Sequence, residues 1–430
     1  MKLIAFFNTY LFISGMVLEI FAPHLNILGV APSNYVWFVF FISSIFSFSK
    51  YERKVILCLL GFVYVLPLIS MINSLIFYDP ASTTLLMKEK LKFNLALSVG
   101  LIYGFKYIEL LPIKRVYIAF TVLSSIFAIG QSFNIKEFYF FHLLINNLRD
   151  LDLTNISARP PGLAPYYLPL SYQLGISYLI LAEDDIFENK ALKWMTNIII
   201  LAGIIIAETR SAWMGIVLGL YFFIYQMPQA KRRLPIKLLI SLIICIVVKV
   251  SINVDRFSPI FTNLSSLFDN QSEFIMKNKS SVYANEDYNL TVRKWMIISG
   301  AYVALDNPWV GIGRNVDNYH LEITRLEKHI NMPNEVKNGV LSTYTHNSFL
   351  NFTVSEGILI FILTFCFWLM ILTNIIKQKT IDSILPISIC IFFIINGLLH
   401  NSGLLNYSLA QIFLGILFSK TTIIKFRSNS

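Results

Sequence analysis

The chain has 430 residues, of which 56% are hydrophobic and only 14% charged, with a mean hydropathy of +0.63. Soluble domains carry roughly 25% charged residues, and no soluble core of this length could bury so much apolar surface, so lipid must solvate much of the chain. A net charge of +10 invites a nucleic-acid reading, but the placement of the basic residues argues against it.

In chain order, apolar runs at 3–21, 35–48, 55–77, 93–107 and 116–133 open the sequence. A membrane helix needs about 20 such residues, so the shorter runs read as tilted or partly re-entrant. The first run follows Met1-Lys2 directly, and Glu19-Ile20-Phe21-Ala22-Pro23 is a poor cleavage site, so it is expected to be a membrane helix. A polar segment, 134–168, holds the turn Arg159-Pro160-Pro161-Gly162, whose arginine is a candidate anion contact. Runs at 169–182, 194–207, 211–226 and 238–252 complete an N-terminal bundle of about nine helices over 1–252.

Residues 253–345 form a long polar segment with 9 Lys+Arg against 10 Asp+Glu. Loops beyond about 12–15 residues are usually functional or disordered. Part of this one has a helical signature: Thr291 as N-cap, then Leu290, Trp295, Ile298, Tyr302 and Leu305 at helical spacing up to Asn307-Pro308. That pattern predicts a short amphipathic helix lying against the membrane face. Runs at 347–376, 383–399 and 403–424 then form a C-terminal group over 346–430. The expected fold is an all-α integral membrane protein of about twelve transmembrane helices with one large extracytoplasmic loop.

Orientation follows from the basic residues. With the N-terminus cytoplasmic, the inside segments hold 17 Lys and Arg and the short outside segments hold 7. Both termini are therefore expected in the cytoplasm, and most of the positive charge is a topology signal rather than a nucleic-acid surface. Cys58, Cys245, Cys366 and Cys390 all lie in apolar runs without ligand spacing, and the histidines show none either. Neither disulfides nor a metal or other cofactor is expected.

Three segments could carry chemistry. Glu208-Thr209-Arg210 stands between two apolar runs, where a charge is costly and marks a functional hypothesis; the bland reading is a tight turn with a snorkelling arginine. Arg293-Lys294-Trp295 opens the amphipathic helix, where guanidinium and helical N–H groups suit a phosphate or diphosphate; the alternative is a solvated charged face. Tyr344-Thr345-His346-Asn347-Ser348 returns the long loop to the membrane and puts a histidine where it can act as a base, or merely finish a helix end. Glu356, ten residues on, does not share a helix face with His346 and reads as support. Gly311-Ile312-Gly313-Arg314 lacks the strand context and third glycine of a nucleotide-binding turn and reads as a plain turn.

Thr209-Arg210-Ser211-Ala212-Trp213-Met214-Gly215, Arg293-Lys294-Trp295 with Asn307-Pro308-Trp309-Val310-Gly311-Ile312-Gly313, and His346-Asn347-Ser348-Phe349-Leu350 before Glu356-Gly357 occur in that order across roughly 200–365. The ordered set resembles the O-antigen ligase and polymerase superfamily of bacterial cell-surface polysaccharide assembly. The resemblance implies a GT-C-like helical fold in the inner membrane and an inverting, metal-independent glycosyltransferase without cofactor, working on the periplasmic face. Its donor would be an undecaprenyl-diphosphate-linked glycan, and its acceptor a lipid A-core sugar or, for a polymerase, another lipid-linked glycan. Arg210 and Arg293 would hold the diphosphate and His346 would help activate the acceptor hydroxyl, with Arg159, Asn347 and Arg314 as further substrate contacts. A flippase or other transporter would also use arginines for diphosphate, but is expected to place polar residues at mid-membrane within repeated halves. No repeat is legible here.

Overall fold

The computed structural model describes residues 2–21, 31–106, 111–139, 160–164, 167–183, 186–252, 286–330, 332–341, 345–378, 381–400 and 407–428. Among them every regular element is helical and none is a strand. The helices are α1 (Lys2–Phe21), α2 (Pro32–Ser47), α3 (Lys50–Phe77), α4 (Pro80–Lys106), α5 (Leu111–Ser132), α6 (Tyr167–Leu181), α7 (Lys190–Ile206) and α8 (Arg210–Gln226). They continue as α9 (Arg233–Ile252), α10 (Glu286–Asp306), α11 (Val316–Ile330), α12 (Asn334–Leu341), α13 (Ser348–Glu356), α14 (Ile358–Gln378), α15 (Ile381–Leu399) and α16 (Ser408–Ser428).

The bundle is built around α6, whose residues from Leu168 to Leu181 are all buried. A helix that is apolar all round belongs in such a position. Peripheral helices instead show broad apolar faces outward: Leu68, Ile72, Leu75, Ile76 and Phe77 of α3, and Ile240, Ile244, Val247 and Val248 of α9, are all exposed. Water-facing surfaces rarely carry apolar area on this scale. Glu52–Phe77, Ile113–Ser132 and Arg233–Ile252 are long and apolar enough to cross a bilayer, and Ile358–Met370, Ile384–Leu399 and Ser408–Ser419 are shorter apolar helices. All-helical among the described residues, the chain is a multi-pass membrane protein.

Small residues set the closest packing, as in membrane bundles generally. A Cβ on Gly100 of α4 would lie 2.0 Å from the Ile412 carbonyl oxygen of α16, and one on Gly415 2.2 Å from that of Leu97. In the same way Gly215 and Gly219 let α8 lie against Phe392 and Ser388 of α15.

Helices α10–α12 form a cap with a core of their own, in which Val292, Met296 and Val303 meet Tyr319, Ile323, Val336 and Val340, joined by Val354 of α13. The cap's first helix begins at Glu286, so Thr291 is a helical residue rather than the N-cap the sequence pattern indicates.

Two further departures from the hydropathy reading have local causes. The run 347–376 is two helices, because Gly357 adopts φ +87° and ends α13. A Cβ there would sit 2.5 Å from the Trp309 carbonyl oxygen. Helix α4 starts at Pro80, thirteen residues before its apolar run, and the extension carries Lys88, Lys90 and Lys92 in helical rather than loop conformation. Lys90 meets Glu356 at 2.7 Å and Lys92 meets Glu19 at 3.1 Å, which makes the polar extension compatible with packing.

Replacing Gly357 with valine is expected to destabilise the protein by at least about 1–3 kcal/mol, from the left-handed backbone alone. Thermal unfolding in detergent should show the loss, whereas Gly61→Ala, whose Cβ would meet nothing within 4 Å, should unfold no lower than wild type.

Candidate functional site

The hairpin from α7 to α8 is made by three residues. Glu208 takes φ +47°, and the Trp213 indole donates to the Ile204 carbonyl at 3.0 Å, pinning the two helices together. Thr209 is buried, accepts from the Ser171 hydroxyl of α6 at 2.6 Å and donates to the Ala207 carbonyl. Glu208 pairs with Lys249 of α9 at 2.6 Å. Arg210 is the first residue of α8 and half-buried, so its guanidinium belongs to the positive end of that helix's dipole.

His346 follows the cap. Its neighbour Thr345 is buried, and its methyl group occupies the space a side chain on Gly300 of α10 would take, 2.2 Å from such a Cβ. Arg293 lies two turns before Gly300, on the same face of α10. Burial, and then the Arg293 guanidinium, hold the His346 imidazole below its ordinary pKa of 6.5. The imidazole packs edge-on against His400, just beyond α15, with ring centroids 5.3 Å apart, and its buried Nδ1 has no hydrogen-bond partner.

Asn347 fixes this arrangement. It caps α13 by accepting from the Leu350 amide at 2.9 Å, and its Nδ2 donates to the Leu398 carbonyl of α15 at 3.0 Å. The histidine is thereby held between a capped helix start and the end of a second helix. That second helix packs along α8, with Asn396 one turn before His400 and against Gly215. The α8 end that starts with Arg210 and the His346 segment are thus joined through α15.

Glu356, at the other end of α13, is 2% exposed and accepts from Ser70 at 2.6 Å and Lys90 at 2.7 Å. Lys90 also stands 4.4 Å over the Phe352 ring. The glycine-rich turn after α10 lies along this end: the Ile312 and Gly313 amides donate to the Val354 and Ser355 carbonyls, and the Ile358 amide to the Pro308 carbonyl at 2.7 Å. The Tyr78 hydroxyl donates to the carbonyls of Val310 and Ser355. Arg314 pairs with Glu89 of α4 at 2.7 Å. Asn318 donates to Asp79 at 2.9 Å, and hydrogen bonds from Ser82 and Asn318 pull the Asp79 carboxyl down to about 2.

The sequence-level candidates therefore divide. Arg293 and Asn347 adjoin His346, and Arg210 stands at the start of α8, the helix that packs along α15. Arg314 is engaged with Glu89 at the base of the cap. Arg159 lies outside the described residues; the Gly162 turn just after it is held by Gln131 of α5 through bonds of 2.8 and 2.9 Å. Sequence reasoning passed over His400, which it tested only for metal spacing, and Lys90, which it counted only as a topology charge.

Residues 195–365, from α7 into α14, match the family model Wzy_C, described as O-antigen ligase. This segment is similar to the O-antigen ligase superfamily. It contains Arg210, Arg293, Arg314, His346 and Asn347, and the match supports an O-antigen ligase or polymerase type of function. No curated protein matches the chain.

Because the folded protein resists protonation of His346, the stability tied to this group is present above pH 6.5 and is lost as the pH falls below it. Arg293→Gln removes one of the two causes and should raise the imidazole's pKa. Site-resolved modification by diethyl pyrocarbonate, which follows neutral imidazole, should show the His346 midpoint below 6.5 in wild type and at higher pH in the variant. An unmoved midpoint would remove Arg293 from the site.

Proposed function

We propose that the protein is an inverting, metal-independent glycosyltransferase that moves a glycan from undecaprenyl diphosphate to an acceptor sugar hydroxyl, in the manner of O-antigen ligation to lipid A-core. The observation that carries this reading is the half-buried His346, edge-on to His400 and with burial and then the Arg293 guanidinium disfavouring its protonation, within the segment that matches the O-antigen ligase model. A base must be neutral to take a proton, and a diphosphate leaving group needs fixed positive charge beside it. His346 with Arg293 beside it supports both requirements.

In the proposed step the acceptor hydroxyl gives its proton to His346 and its oxygen attacks the anomeric carbon opposite the diphosphate. The new glycosidic bond forms as the anomeric C–O bond breaks. The electron pair leaves on the phosphate oxygen, where Arg293, Arg210 and the N-terminal amides of α8 stabilise it. Asn347 holds His346 in place by capping α13. The site faces the periplasm and both termini the cytoplasm. No nucleotide sugar is present on that side, which favours a lipid-linked donor. A repeat-unit polymerase would use the same donor residues on a different acceptor.

Complementation with Arg210→Ala, Arg293→Ala and His346→Ala at matched membrane levels tests this. Each is expected to abolish long-chain surface polysaccharide, since loss of a general base costs about 10²–10⁴-fold and loss of an oxyanion-type contact about 10²–10³-fold. Lipid-linked glycan should accumulate on the periplasmic leaflet. Bare core with polymer left on its carrier indicates a ligase, and core bearing a single repeat a polymerase. Wild-type product from all three variants would reject the site, and donor held on the cytoplasmic leaflet would indicate a flippase.

A further inference from the structure

One side of α10 is accounted for by the cap core and by the His346 segment; the other is not. Met296 and Val303 are buried in the cap, and Arg293 and Gly300 lie on the face toward Thr345 and His346. On the remaining flank Tyr302 is 45% exposed and Leu305 69%, with Ile298 between them half-buried against the cap core, and Trp309, just past the helix, is 69% exposed. The exposed Lys294 shares that flank.

The backbone around Trp309 fixes where this flank lies. Tyr78, directly after α3, donates to the Val310 carbonyl, and the Pro308 carbonyl accepts from the first amide of α14. Trp309 therefore stands where α3 ends and α14 begins. The last residues of α3, Leu75, Ile76 and Phe77, and the first turns of α14, with Leu359 and Ile362, present exposed apolar side chains. The exposed apolar flank of the cap thus runs on into these exposed apolar side chains, and tryptophan is favoured at membrane–water interfaces.

We propose that the outer flank of α10 is seated in the interfacial layer of the bilayer, with Trp309 and Leu305 among the glycerol and upper acyl groups of lipid and Lys294 toward lipid phosphate. If the proposed glycosyl transfer is correct, on which this second part rests, the donor's diphosphate also lies at the bilayer surface. The seat then sets the depth at which α10 presents Arg293 to it. The cap is in this sense a depth gauge for a lipid-borne substrate.

Spin labels at Leu305→Cys, Ile362→Cys and Arg325→Cys, each with the four native cysteines replaced, test the seat in liposomes without reference to activity. Leu305 should be accessible to oxygen and shielded from a water-soluble nickel chelate, as at Ile362. Nickel accessibility like that at Arg325, which lies on the cap with its side chain 56% exposed, would overturn the proposal. For the second part, Trp309→Glu should lower transfer from a long-chain polyprenyl donor in liposomes by up to about a hundredfold, the effect of a misplaced catalytic group. Transfer from a detergent-dispersed short-prenyl donor should be nearly unchanged. Equal loss on both donors would refute the depth role. Absence of transfer by wild type would count against the glycosyltransferase reading alone, leaving the label result to decide the seat.

Discussion

The contact on which the site depends is backbone against backbone: the turn from Pro308 to Gly313 lies along the end of α13 and the start of α14. Two glycines at positive φ make it possible. A Cβ on Gly311 would fall 2.6 Å from the Ser355 carbonyl carbon, and one on Gly357 2.5 Å from the Trp309 carbonyl oxygen. Because α10 leads into this turn and α13 begins just after His346, docking the turn places the helix that carries Arg293 beside the histidine. The Gly311-Ile312-Gly313 turn that superficially resembles a nucleotide loop is, together with Gly357, a structural clasp.

Electrostatics inside the membrane boundary follows a consistent rule. A carboxylate removed from water is costly unless paired, and here Glu356 meets Lys90, Glu19 meets Lys92, Glu208 meets Lys249 and Glu89 meets Arg314. Two of these pairs, Glu356–Lys90 and Glu89–Arg314, join α4 to α13 and to the base of the cap. They tie the cap and α13 to the N-terminal half of the bundle. His346 is treated differently, with burial and a neighbouring cation acting together to disfavour protonation of its ring.

Much of this was legible in the sequence because it is local. Apolar runs mark the spans, Glu208-Thr209-Arg210 marks the hairpin, and Asn307-Pro308 marks the end of α10. What was not legible depends on contacts between distant residues. Nothing near Gly357 says that a carbonyl from position 309 will occupy its side-chain space and split one apolar run into two helices. Lys90 and Lys92 read as loop charges until Glu356 and Glu19 are placed beside them. His400 has no local signal; only the packing of α15 against α8 and α13 carries it to His346. The start of α10 was misplaced because a threonine at a good capping position can equally well sit inside a helix.

The central claim is that this arrangement forms a glycosidic bond at the expense of a lipid diphosphate linkage. The most direct measurement uses the purified protein in liposomes, with a polyprenyl-diphosphate glycan, a core-sugar acceptor and no nucleotide sugar, following product and released polyprenyl diphosphate together. The two are expected to appear in equal amounts, and both to vanish with His346→Ala. Movement of the glycan lipid between leaflets with no new glycosidic bond would contradict the claim.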